Sequence, residues 1–409
     1  MLILSFLLGL TTGINSALLI VAISRWLVDL KYSILQISCF LLWRYTYDLR
    51  FFMAKFFDIY RIQWRNSEYA HRKNWIIFFL LCCCICIYCI LIEFVYKNLN
   101  ILGVVFSIYA FFAGVLDTNI LMYSLTNLAS YKKYYTLGFR YAFLIIPNIP
   151  LLTSITWYNL YYICIVVLSI LLIFFYYYLP VDQHITIPKI DQLNKFAIVY
   201  CGDSTKNDKD AWKNIVRLYK TSIYDNFDQL SKLLPLLLLV NLQSRLITGS
   251  IIYKYLAPSF SYKSAWFIID LLVLLLGLWI PKNITLNYVI IAQFSSAFIL
   301  SLSAFFTGIN SYVVYYIYRI CCLITCMYAF NWKTSPITNK YDSLQILFLM
   351  SFEKVICGMI GNILGAIIAQ YIGIAYAFLL SFIPVILLCF YNLNFASKNT
   401  ILRKEVTHD

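Results

Sequence analysis

Nine ionisable residues stand inside otherwise apolar stretches of this chain: Arg44, Asp48, Asp117, Arg140, Arg245, Asp270, Arg319, Glu353 and Lys354. A charge at hydrocarbon depth costs at least ~2.5–3.5 kcal/mol on insertion scales, so it needs a partner or a polar route. Carboxylates in such places relay protons. Guanidinium groups bind carboxylates bidentately. Asp117 stands alone in Phe111-Phe112-Ala113-Gly114-Val115-Leu116-Asp117-Thr118. It reads either as a proton-responsive group on a polar pathway or as an ion-pair partner of Arg140. Arg44 and Asp48 lie four residues apart, on one face of an α-helix, and read as a self-neutralising pair. Arg245, Asp270 and Arg319 each lack an opposite charge nearby in their own segment. Cross-helix pairing and solute binding are both open to them. Glu353 and Lys354 are adjacent, so on a helix they point about 100° apart and at least one faces the interior.

The elements that hold these residues are membrane helices. The chain has 409 residues, is 62% hydrophobic and only 12% charged. Apolar runs long enough to cross a ~30 Å hydrocarbon core recur along it, and in lipid the backbone satisfies itself as helix. Twelve spans are predicted, at 2–24, 33–54, 75–96, 100–127, 135–156, 158–180, 233–255, 264–281, 284–307, 309–331, 342–371 and 374–394. The long fourth and eleventh segments are read as including interfacial turns. Met1-Leu2-Ile3 has no basic leader, so the first run is read as a retained span. The expected domains are a six-helix bundle at 1–180, a polar linker at 181–232, a second six-helix bundle at 233–395 and a tail at 396–409. This all-α, 6+6 arrangement matches the two pseudo-symmetric halves of the major facilitator fold.

Placing both termini, the linker and the even-numbered loops on one side gives that side 22 of the 32 basic residues. The other side holds five, Arg25, Lys31, Lys97, Lys254 and Lys263, and the last five are intramembrane. Basic residues mark the cytoplasmic side, so termini and linker are expected inside. In the loop after span two, Asp58 is followed by Arg72 and Lys73. Together they read as a cytoplasmic ion-pair latch or, for the cations, as simple anchoring.

Other chemistries find little footing. The net charge of +14 is read as membrane topology, because no basic-aromatic stripe suggests a nucleic-acid surface. Cys82, Cys83, Cys84, Cys86 and Cys89, and Cys321, Cys322 and Cys326, sit in apolar runs without His or carboxylate, as small packing residues. The histidines have no metal-ligand spacing, and no phosphate-binding loop occurs. Neither a metal nor any other cofactor is expected. A polytopic transferase would need His or carboxylates on large outer loops, and here those loops are short.

Ordered pieces of the chain resemble the AmpG-type muropeptide permeases of the major facilitator superfamily. Arg50-Phe51-Phe52-Met53-Ala54 through Asp58, then His71-Arg72-Lys73-Asn74-Trp75, is similar to the family's K-F-L-W-x-P-x-x-D and G-R-R-R-x-W pattern. Gly9-Leu10-Thr11-Thr12-Gly13 resembles its opening span, and Gly138-Phe139-Arg140 its span-five G-Y-R. Gln345 and Gly361-Asn362-Ile363-Leu364-Gly365 resemble its span-eleven segments. Asp117 falls where the family has Q-D, but Leu116 replaces the glutamine and Leu121 replaces a second acid. Lys55, Ala70 and His71 also depart from the pattern.

The resemblance implies a carrier of the bacterial inner membrane, embedded in the bilayer and importing an anhydro-muropeptide with protons; the sequence does not reveal an oligomeric state, and a monomer is the default. Asp117, Arg140 and Glu353 would be its proton or ion-pair groups. Arg245, Asp270, Arg319, Gln345 and Lys354 would meet the solute or its counter-ions. The alternative is a transport-inactive paralogue or membrane scaffold, to which the missing acid points. For the topology, a fluorescent protein fused after Asp409 should be bright. Alkaline phosphatase fused there should be inactive, and an active phosphatase would reverse the orientation.

Overall fold

The computed structural model describes residues 1–50, 53, 60–63, 71–153, 155–180, 197–200, 238–243, 245–247, 249–256, 264–276, 285–306, 310–333 and 343–392. Among the described residues, helical segments lie within each of the twelve predicted stretches. In the first half they are α1 (Leu2–Asp29), α2 (Ile34–Phe40, continued by a 3₁₀ stretch Leu41–Leu49), α3 (His71–Ile90), α4 (Leu99–Asn127), α5 (Lys132–Ile145) and α6 (Trp157–Tyr178). In the second they are α7 (residues 238–243, 245–246 and Gly249–Leu256), α8 (Ser264–Leu276), α9 (Leu286–Phe305), α10 (Ser311–Lys333), α11 (Ser343–Tyr371) and α12 (Ile374–Asn392). Among the described residues, α1, α3, α4, α6, α9 and α12 contain stretches long and apolar enough to cross a membrane.

Local sequence explains the boundaries. The Asn98 side chain accepts from the backbone N–H of Asn100 and Ile101 and starts α4. Thr156 does the same for α6 through Asn159. Gly373, at φ 130°, turns the chain between α11 and α12 in a conformation that suits glycine. Pro147 and Pro150 break α5 into a 3₁₀ turn, Ile146–Asn148, and a last turn, Ile149–Leu152. The interfacial turns expected inside the fourth and eleventh segments are absent. α4 and α11 are unbroken 29-residue helices, about 43 Å long at 1.5 Å per residue. Neither helix contains a proline, and Gly103 and Gly114 stay within the helical run of α4, so length is accommodated by tilt or protrusion. α1 contains one π-type turn, Leu18–Ala22, and the Tyr161 hydroxyl donates to the Leu18 carbonyl there.

Contacts divide the chain into two units: Met1–Trp26 with Phe40–Tyr224, and Leu27–Cys39 with Asp225–Asp409. Each unit pairs its helices in the same order. α1 packs on α5, α2 on α4, and α3 on both α4 and α6. In the second unit, α7 packs on α11, α8 on α10, and α9 on both α10 and α12. One contact had no sequence signal. Strand β1 (Tyr60–Gln63), in the loop after α2, pairs antiparallel with β2 (Ala197–Tyr200), in the central linker.

Glycines let equivalent helix pairs meet backbone to backbone. A Cβ on Gly9 would lie 2.0 Å from the Tyr135 carbonyl oxygen, and one on Gly138 2.1 Å from that of Phe6. On the second unit's α7–α11 seam, a Cβ on Gly365 would lie 2.1 Å from the Leu246 carbonyl oxygen. Gly361 and Gly365, a small-xxx-small pair, therefore act as close-packing residues. Gly9→Ala should lower the melting temperature of the detergent-solubilised protein by an amount corresponding to about 1–3 kcal/mol of overpacking. Gly103→Ala meets only the half-exposed Trp43 ring and should shift it less. Equal shifts would argue against the backbone seam.

Candidate functional site

The 3₁₀ stretch of α2 decides which side chains meet α4. At three residues per turn, positions i and i+3 eclipse one another. Tyr47 and Arg50 are therefore stacked, with the guanidinium carbon 4.5 Å from the Tyr47 ring centroid. Arg44 and Asp48, four apart, are turned about 120° from each other in this winding. The pairing expected from α-helical spacing loses its geometry, and the Arg44 guanidinium instead lies 5.5 Å over the Tyr45 ring. The small residues Gly103, Ser107 and Gly114 let α4 approach this surface: Gly114 faces the Tyr47 backbone, and Thr46 donates to the Ser107 carbonyl at 2.7 Å.

Asp117 closes this face of α4. Arg50 is its ion-pair partner. Its Oδ2 also accepts from the Tyr47 hydroxyl at 2.7 Å, and its Oδ1 is 3.4 Å from the Tyr135 hydroxyl donor on α5. Arg50 donates to the Tyr47 oxygen at 2.9 Å. The Thr12 hydroxyl of α1 stands 3.2 Å from that of Tyr135. Four helices thus converge on one carboxylate, and both charged side chains are largely buried, 9% and 19% exposed. The Arg50 Nε is buried with no acceptor among the described residues, so within them the cluster is incompletely satisfied.

The second unit builds the counterpart. Asp270 of α8 accepts from Arg319 Nε of α10 at 2.6 Å and from the Tyr315 hydroxyl at 3.2 Å. Tyr315 and Arg319 are four apart on a regular α-helix and share a face. Each unit therefore joins its second and fourth helices by a tyrosine, an arginine and an aspartate. The polarity is inverted: arginine on α2 and aspartate on α4, then aspartate on α8 and arginine on α10.

These pairings correct several expectations. Asp117 pairs with Arg50, not Arg140. Arg140 is half-buried and forms no ion pair among the described residues. Arg319, which looked partnerless, is held by Asp270, and Arg245 is not the partner of that carboxylate. The Arg245 Nε is buried with no acceptor among the described residues, beside Gly361 of α11. Arg50, at the end of the second predicted span, and Arg25 were both counted as basic residues of the flanking sides, and both are buried. Arg25 donates to the Pro147 carbonyl and to Asn148 at the end of α5, a place that favours a cation. Removing the two from the charge count preserves its bias. Arg72 and Lys73 occupy the first turn of α3, half-buried. Asp58 and the side chains of Gln345, Glu353 and Lys354 lie outside the described residues. The tyrosines were missed. Their signal was a tyrosine three or four residues before an intramembrane arginine.

Against solved structures, the chain aligns over 96% of its length with 98% of the nucleoside transporter NupG, at TM-score 0.58 and 15% identity. It aligns over 95% with 96% of a D-xylose–proton symporter, at TM-score 0.64 and 9% identity. It also aligns over 95% with 98% of the human organic anion transporter MFSD10, at TM-score 0.59 and 12% identity. No family model and no curated protein matches the sequence. The likeness shows the fold: this is a predominantly helical chain of the major facilitator architecture.

Removing one partner of a buried ion pair leaves an uncompensated charge, at a cost of about 3–5 kcal/mol, whereas replacing both with apolar groups is often neutral. Arg50→Ala should therefore be far less stable than the double variant Arg50→Met/Asp117→Leu in a thermal melt. A double variant as unstable as the single one would remove the pair from this role.

Proposed function

We propose that this chain is a secondary transporter that imports a small polar, anionic solute by alternating access, with Asp117 as its proton-responsive group. The observation that carries the reading is the convergence of Arg50, Tyr47 and Tyr135 on one carboxylate within a membrane span. Protonating Asp117 would cancel the charge that holds Arg50. The protonation state of one atom would then decide whether α2 stays fastened to α4, and a proton gradient could bias the conformational equilibrium. The full-length likeness to transporters, one of them a proton symporter, supports the same mechanism.

Arg245 is the proposed anion anchor. Arg25, Arg50 and Arg319 are engaged by oxygen acceptors, while the Arg245 Nε has none among the described residues. A guanidinium so placed suits a carboxylate. Anhydro-muropeptides carry carboxylates and are the first solute to test, on the strength of the sequence resemblance alone. The proposed setting is a bacterial inner membrane, with Arg72 and Lys73 on the cytoplasmic side.

The test is uptake of labelled anhydro-muropeptide by cells lacking their own permease, with and without a pH gradient. Uptake should follow the gradient, and Asp117→Asn should abolish that dependence. Arg245→Ala should raise the half-saturating concentration about tenfold or more, since a hydrogen bond to a charged group contributes ~1.5–3 kcal/mol. Absent uptake despite verified insertion would sink the muropeptide assignment and favour a transport-inactive scaffold.

A further inference from the structure

The nine-residue 3₁₀ stretch Leu41–Leu49 is long for its kind, since runs beyond three or four residues are uncommon and mid-helix examples mark hinges. Its sequence contains two mutually exclusive sets of charge contacts. In 3₁₀ winding, Tyr47 eclipses Arg50, and both engage Asp117. In α winding, residues four apart share a face, so Arg44 would face Asp48. We propose that residues 41–49 are a helical register switch, 3₁₀ with Arg50 on Asp117 and α with Arg44 on Asp48. This goes beyond the transport reading and does not depend on any solute.

The geometry makes the change large. Nine residues rise about 18 Å at 2.0 Å each in 3₁₀ form but about 13.5 Å at 1.5 Å each in α form. Conversion shortens the segment by about 4.5 Å and rotates one end against the other by roughly 180°, at about 20° per residue. Arg50 could not follow Asp117 through that motion.

Among the described residues, the contacts that hold the present register include Thr46 on the Ser107 carbonyl, the Tyr47 backbone against Gly114, and the Asp117 cluster. Opposing them is the buried Arg50 Nε, which has no acceptor among the described residues. The switch therefore exchanges the Asp117 cluster for a local pair within one helix, and neutralising Asp117 lowers the cost of leaving that cluster.

The test is a distance measurement in the full chain. Spin labels carried by encoded amino acids go at Gln36 and Leu49, both exposed. Pulsed resonance should resolve two populations about 4 Å apart, the difference set by the two rises per residue. Asp117→Asn should favour the shorter and Asp48→Asn the longer. If Asp117→Asn fails to fold, Tyr47→Phe should shift the population the same way. A single distance unmoved by Asp48→Asn and Tyr47→Phe would overturn the switch, whether or not the protein carries solute.

Discussion

The cost of placing charge in hydrocarbon governs this structure. Asp117 and Asp270 sit within membrane helices, and each is bound to a guanidinium from another helix of its own unit. Neither pair can be opened without exposing an unneutralised charge to a medium of low polarity. Other local features serve these contacts. The glycines and Ser107 of α4 bring α2 close enough for Arg50 to reach Asp117. The tyrosines fill remaining lone pairs. The seams of α1 on α5 place Tyr135 and Thr12 beside the same carboxylate.

The two units solve this problem with the same residue types but opposite polarity. Equivalent positions carry arginine in one unit and aspartate in the other. The shared geometry is therefore that of the helix pair, and the sign of the charge on each helix is free to exchange. The winding is not shared. A spacing of three residues accompanies 3₁₀ in α2, and a spacing of four accompanies α in α10. In each case the tyrosine and arginine lie on one face because the spacing fits the local turn.

Most of the architecture was legible in hydropathy, because twelve apolar runs and a polar middle leave few alternatives. The seams were legible too, since Gly361 and Gly365 declare close packing by spacing. The ion pairs were not. Asp117 and Arg50 are far apart in sequence, and nothing in either segment names the other. The pairing of Arg44 with Asp48 failed for a different reason: it assumed 3.6 residues per turn where the chain winds at three. The pairing role of Arg50 was not read because the residue stands where an apolar run gives way to a basic loop, and it was counted among the basic residues of that side. Arg25 escaped in the same way, counted as a loop charge while its side chain turns inward onto the end of α5.

Arg25 also owes its position to the π-type turn seven residues before it. A helix counted uniformly at 3.6 residues would aim residue 25 about 100° away. The wide turn absorbs one extra residue, and Tyr161 covers the carbonyl it opens. In register terms, α1 is two helices spliced with one residue to spare. Its first part is phased to lay Gly9 against α5, and its second to lay Arg25 on Pro147 and Asn148. The spare residue lets one rod meet both ends of the same neighbour.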